Sequence, residues 1–233
     1  MRIIGLDGCK GGWICASIHD VTQKPFLSIE FIESLDTLIN IGFTVGFVDI
    51  PIGLSEFEYK RTLDEDLRKM LSKKRKSSVF TAPCRKAIYA CSYDLAKEIN
   101  LKETGKSISI QAWNICPKIK EMEQFIIKNP LINVWESHPE LCFERLNKQP
   151  LLYKKKDPLG KQERLSILLG FFPYFEKTIN DFISENKSKA DDVLDAVCLA
   201  MMGYLGVKNK FSSLYPEAHK DSKKNWVNAY FVD

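Results

Sequence analysis

The chain has 233 residues, 45% of them hydrophobic, which supports one substantial core and rules out global disorder. Its formal charge of +4 is unevenly placed: residues 60–86 hold ten Lys/Arg against three acids, and the remainder is slightly acidic. No stretch reaches the ~18 apolar residues of a membrane span, and the opening "MRIIGLDGCK" lacks a signal-peptide pattern. Seven cysteines with no C-x-x-C pair argue against a disulfide framework or a zinc site, and point to a reducing cytoplasm with no membrane partner.

In chain order, "RIIGLD" (2–7) reads as a buried strand. "WICASIHD" (13–20) and "FLSIEFI" (26–32) read as the next two strands of an antiparallel meander. "GCKGG" supplies a tight connection, although Asp7-Gly8 is also an ordinary turn dipeptide. "SLDTLINI" (34–41) has helical spacing with Ser34 as a candidate cap, and "TVGFVDI" (44–50) is a fourth strand. Residues 59–72 and 92–101 read as polar helices around a loop at 75–85. A longer helix at 108–128 is expected to break near Pro117. "LINVWE" (131–136) is a fifth strand, followed by a helix through 147 and a basic loop, "YKKKDPLGKQ" (153–162). Helices are expected near 161–171, 175–185 and 189–206, and "WVNAYFV" (226–232) reads as one terminal strand. The order describes a mixed α/β domain over 1–233, with an insertion or elaborated crossover at about 55–128.

The acids fall in telling places. Asp7 ends the first strand, Asp49 the fourth and Glu136 the fifth, and α/β sites form beyond the carboxyl ends of strands. "DDVLDA" (191–196) adds Asp192 and Asp195, three apart on one helix face. Ser188-x-x-Asp191 and Ser137-x-x-Glu140 both have the shape of a capping box, which would make Asp191 and Glu140 structural. Capping explains neither Asp195, in the second helical turn, nor Glu136, at the end of an apolar strand. Four or five converging carboxylates need raised pKa values or a cation. Oxygen-only ligands favour Mg²⁺ or Mn²⁺, and a pair of such ions can drive phosphodiester cleavage.

"GLDGCKGGW", "VDIPIGL", "SSVFTAP", "ESHPELCF" and "ADDVLDAVCLA" occur here in the order found in the domain of unknown function 429 family, which the chain resembles from about residue 3 to residue 203. Members are described as predicted RNase H-like nucleases, similar to RuvC-type junction resolvases. The resemblance implies a mixed five-stranded sheet with helices on both faces and a helical insertion. It also implies a nuclease site of Asp7, Asp49, Glu136, Asp192 and Asp195, with Asp7, Asp49, Glu136 and Asp195 as metal ligands. Lys10, His138 and Glu140 are accessory candidates. Lys73, Lys74, Arg75 and Lys76, with "YKKK" at 153–156, are candidates for holding a nucleic-acid backbone. The competing readings are an actin-like or sugar-kinase-like ATPase, suggested by "DGCKGG", and a non-catalytic adaptor. The retained acids speak against the adaptor, and the absence of a second glycine-rich half speaks against the ATPase. Homodimer formation is left open, as is DNA against RNA.

Overall fold

The structure, a computed structural model, describes residues 1–20 and 24–233. Its centre is a five-stranded sheet of order β3-β2-β1-β4-β5. The strands are β1 (Arg2–Cys9), β2 (Gly12–His19), β3 (Phe26–Ile32), β4 (Val45–Val48) and β5 (Val134–Glu136). β1, β2 and β3 form an antiparallel meander, while β4 runs parallel to β1 and β5 parallel to β4. Consecutive residues from Ile3 to Leu6 and from Trp13 to Ile18 are buried, so these strands are covered on both faces. The α/β architecture and strand order are those of an RNase H-like fold.

Asp7 does not open a turn. β1 continues to Cys9, which pairs with Gly12, and the connection is Lys10-Gly11 alone. Gly11 has φ +86°, a conformation costly for any residue with a Cβ. Lys10 is exposed at this hairpin tip.

The chain forms two compact units. The first comprises Met1–Asp49, Asn133–Ser212 and Tyr230–Asp233; the second comprises Ile50–Ile132 and Ser213–Ala229. In the first lies α1 (Thr37–Ile41), and in the second lie α2 (Leu63–Met70), α3 (Arg85–Ile88), α4 (Tyr93–Thr104) and α5 (Ile110–Lys128). The first unit resumes with α6 (Pro139–Asn147), α7 (Pro158–Phe171), α8 (Glu176–Glu185) and α9 (Ala190–Lys208).

Several local expectations change. α5 runs unbroken through Pro117. Its buried face of Ala112, Cys116, Ile119, Met122 and Phe125 keeps helical spacing across the proline, and that packing holds the helix together. α1 starts at Thr37 after Asp36, and Ser34 instead accepts the Asp36 amide. The expected terminal strand is split in two, at Trp226–Val227 and Tyr230–Phe231. Between them the Asn228 side chain accepts the Tyr215 and Ala229 amides and donates to the Tyr215 carbonyl, which turns the chain. All seven cysteines are free thiols. Among the described residues no helix is long and apolar enough to cross a membrane.

The second unit is organised around a buried guanidinium. Arg85, at the start of α3, donates to Glu123 (2.7 Å) and Ser222 (2.8 Å), pairs with Glu56 (2.8 Å), and also meets Asp221. Asp221 in turn accepts the Leu54, Lys223 and Asn225 amides, so this network ties α3, α5 and the 221–225 turn into one body.

α9 is apolar nearly all round and buried from Val193 to Tyr204, as a central helix should be. It lies directly on β1 because Gly5 has no side chain. A Cβ there would sit 2.1 Å from the Ala196 carbonyl oxygen and 2.4 Å from the Ala200 amide. Gly203 permits the same approach further along, over Phe47 and Ile3. Gly5 is two residues before Asp7, and Ala196 immediately follows Asp195. This close approach of helix to strand therefore brings the two aspartates to the same place.

Candidate active site: a buried carboxylate cluster

Side chains alternate across a strand, so Asp7 shares the sheet face of Gly5, the face that α9 covers. Asp49 directly follows β4, and its amide donates to the Leu6 carbonyl at 3.4 Å, which sets it beside Asp7. Asp195 arrives from α9. Asp7 and Asp195 are 8% and 3% exposed; Asp49 is half-buried as a residue. Asp192, one turn back on α9, is half-buried. The parallel pairing of β1 with β4 and the seating of α9 on Gly5 thus join three distant carboxylates.

A lysine supplies the counter-charge. Lys155, from the loop between α6 and α7, places Nζ 3.0 Å from Asp195 Oδ2. In the sequence this lysine is one of several in a basic loop; its position among the acids depends on how that loop is held. Among the described residues no group of three or more His, Cys, Asp or Glu side chains is spaced to hold a metal ion, and in this conformation the ammonium of Lys155 is the cation the carboxylates share.

One ammonium does not balance three buried carboxylates, and their protonation reflects it. Burial pushes Asp7 well above the ordinary carboxylate range, with Asp195, Asp49 and Asp192 adding to the shift and Lys155 opposing it. Burial raises Asp195 to about 6; Lys155 pulls it back, while Asp49 and Glu140 push it further. Asp49 is raised by desolvation of its carboxyl, against His138 and Lys155 and with Glu140. Asp192 is raised by burial, with Asp191 adding and Lys155 opposing. Lys155 itself is held protonated, chiefly by Asp195.

These shifts have a definite sign. A carboxyl that is raised on folding contributes most below its unfolded pKa, and that contribution is lost as pH rises through the folded value. For Asp195 the window runs from 3.8 to about 6. Its loss is about 3 kcal/mol, at ~1.4 kcal/mol for each tenfold change in proton affinity. In the metal-free protein, Asp195→Asn should therefore flatten the decline of stability with pH across this window. Denaturant titrations spanning the window and extending to neutrality test this; parallel profiles for the two proteins would refute it.

His138 and Glu140 adjoin the same cluster through α6. His138 Nδ1 caps this helix by accepting the Leu141 amide (3.4 Å), and Pro139 occupies the first turn. The Ser137-x-x-Glu140 box does not form. Ser137 Oγ donates instead to the Tyr230 carbonyl (2.7 Å), and Glu140 accepts two hydrogen bonds from Arg164 Nη2 at 2.9 and 2.7 Å. Arg164 is 1% exposed and sits between Gly160 and Leu168 on the buried stripe of α7. A charged residue on an otherwise buried stripe, with i±4 neighbours Gly160 and Leu168, was the sequence signal for this overlooked partner.

Other sequence candidates fall elsewhere. Glu136 pairs in register with Val48, one step out of phase with Phe47, which lies on the α9 face under Gly203. Its side chain therefore leaves the sheet on the face opposite Asp7, where it is buried. Asp191 stands in the first turn of α9 and pairs with Lys161 at 3.3 Å; Lys189 occupies the cap position, so the Ser188 box does not form either. In the basic segment, Lys73, Lys74 and Lys76 are exposed but Arg75 is buried, which removes it from a phosphate-facing row. Much of that segment's charge is already committed: Arg61 pairs with Asp64, Lys69 with Asp66 and Lys86 with Glu103, while Arg68 donates to the Val79 carbonyl and Thr81.

The sheet order and the carboxylates gathered from β1, the end of β4 and α9 define an α/β protein of RNase H-like topology with an acidic cluster that one lysine partly offsets. Residues 5–220 match the family described as "Protein of unknown function (DUF429)", and the chain belongs to that family. No curated protein and no solved structure matches the chain.

Proposed function

We propose that the protein is a metal-dependent phosphodiesterase acting on nucleic acid. The observation that carries this reading is the meeting of Asp7, Asp49 and Asp195, from three distant segments, with a single lysine between them. The donors are hard oxygens, and together they carry more negative charge than Lys155 neutralises. That composition suits Mg²⁺ or Mn²⁺. Asp7, Asp49 and Asp195 would hold the ion in an arrangement drawn closer than the present one, with the ion in place of the Lys155 ammonium and Asp192 at the half-buried margin. When bound, such an ion would supply an activated water and stabilise charge at the phosphate.

The chain's own residues do the rest. Asp192 has a raised pKa and is partly open to solvent, so it is suited to exchanging a proton with water at the margin. His138 fixes the start of α6 and so the place of Glu140, while Arg164 offsets the Glu140 charge by pairing with it. The exposed Lys73, Lys74 and Lys76 favour attraction to a polyanion.

The test is cleavage of labelled single-stranded and duplex DNA and RNA in Mn²⁺, in Mg²⁺ and in chelator. Cleavage that requires the ion and is lost in Asp7→Asn is expected. An intact substrate in all four cases, with folded protein, would sink the reading.

A further inference from the structure

The loop that delivers Lys155 has a second face. Leu151 is buried, but every residue from Leu152 to Leu159 is exposed, including Leu152 (71%) and Tyr153 (41%). Lys154 and Lys156 flank Lys155 and stay exposed while Lys155 reaches Asp195. The loop thus presents a leucine and a tyrosine to solvent beside three consecutive lysines.

The backbone of this loop is pinned at several points. The two carboxylate oxygens of Glu163 accept the Leu152 and Tyr153 amides at 2.8 and 3.1 Å. The Lys154 carbonyl accepts the Asp157 amide at 3.0 Å. It also lies so close to α7 that a Cβ on Gly160 would stand 1.9 Å from it. With the backbone fixed and Lys155 anchored on Asp195, the exposed residues are carried on either side of the lysine that reaches the carboxylate cluster.

We infer that residues 152–156 form the surface on which a single strand of nucleic acid lies, with Tyr153 stacking on a base and Lys154 and Lys156 meeting the phosphates on either side. This rests on the phosphodiesterase reading of the neighbouring carboxylates. Charge complementarity selects a polyanion, and the aromatic ring selects a single strand. A side-chain ring stacks only on a base whose face is free, and alternating rings and cations are how sequence-tolerant single-strand surfaces are built. Leu152 extends the apolar platform next to Tyr153. The arrangement would lay the backbone across the loop and bring a phosphodiester to the acids that Lys155 touches.

The experiment is fluorescence anisotropy with a labelled oligothymidylate and with a labelled duplex, in chelator so that binding is read without cleavage. Lys154→Ala/Lys156→Ala should weaken oligothymidylate binding about tenfold and reduce the log–log salt slope by about 1.4, at ~0.7 for each phosphate no longer neutralised. Tyr153→Ala should weaken it by about 5- to 100-fold with the slope unchanged, and Tyr153→Phe should restore it. The three substituted positions are exposed, and unchanged melting temperatures would confirm folded variants. Wild-type affinity and slope in both alanine variants would overturn the assignment while leaving the phosphodiesterase reading intact. Duplex bound as tightly as single strand, with no effect of Tyr153→Ala, would overturn the single-strand assignment. Failure of the wild-type protein to bind either nucleic acid would overturn this inference, while the phosphodiesterase reading stands or falls with ion-dependent cleavage.

Discussion

Arg164→Ala is expected to cost about 3–5 kcal/mol of folding stability, the range for removing one partner of a buried ion pair. The guanidinium is 1% exposed and gives Glu140 two hydrogen bonds and the Gly160 carbonyl a third. In the variant, the Glu140 carboxylate stays buried without the guanidinium that offsets its charge, close enough to Asp49 and Asp195 to raise both. For a chain of this size the melting temperature should fall by roughly 10 °C. The double variant Arg164→Met/Glu140→Met should recover most of that loss, because well-packed apolar groups can replace a buried pair. Thermal denaturation of the single and double variants measures this. A single variant that loses less than about 1 kcal/mol, the level of an exposed pair, would mean that the guanidinium is not what stabilises the buried Glu140.

Asp195→Asn should do the opposite to stability and much more to activity. It removes one of three mutually repelling carboxylates, while Asp7 and Asp49 remain to neutralise Lys155. The metal-free protein should be as stable as wild type or more so near neutral pH. Calorimetric affinity for Mn²⁺ should drop, and ion-dependent cleavage should fall by about a hundredfold or more, as when an electrostatic group worth several kcal/mol is removed. Asp191→Asn is the comparison. Its pair with Lys161 is partly solvent-exposed, where such pairs are worth about 0–1 kcal/mol, so little should change. A destabilised Asp195→Asn protein with full response to Mn²⁺ would make Asp195 a structural residue.

Several parts of this molecule are written in local sequence. The short apolar runs at 2–7, 13–20 and 26–32 give the meander, since strand preference and glycine punctuation act over a few residues. The apolar run after "DDVLDA" gives a helix buried on every side. Asp7, Asp49, Asp192 and Asp195 are recognisable because an acid set against an apolar strand or opening an apolar helix is out of place in a core and is not ordinary surface.

Other features depend on what arrives from far along the chain. Pro117 does not break α5, because packing of one helical face outweighs a missing hydrogen bond. Glu136 matches the strand-end pattern of Asp7, yet the parity of the β4–β5 register sends it to the other face, and register is a property of the pair of strands. Lys155 and Arg164 read as one more loop lysine and one more helix arginine. Each becomes a partner of a buried acid only because Gly160 lets α7 press against the Lys154 carbonyl and Gly5 lets α9 press against β1. The sequence alone determines where the ionisable residues fall and where most strands and helices lie, because those preferences are local. The tertiary structure alone decides which charges meet, because a buried ion pair forms only where close packing excludes water and leaves each charge no other partner.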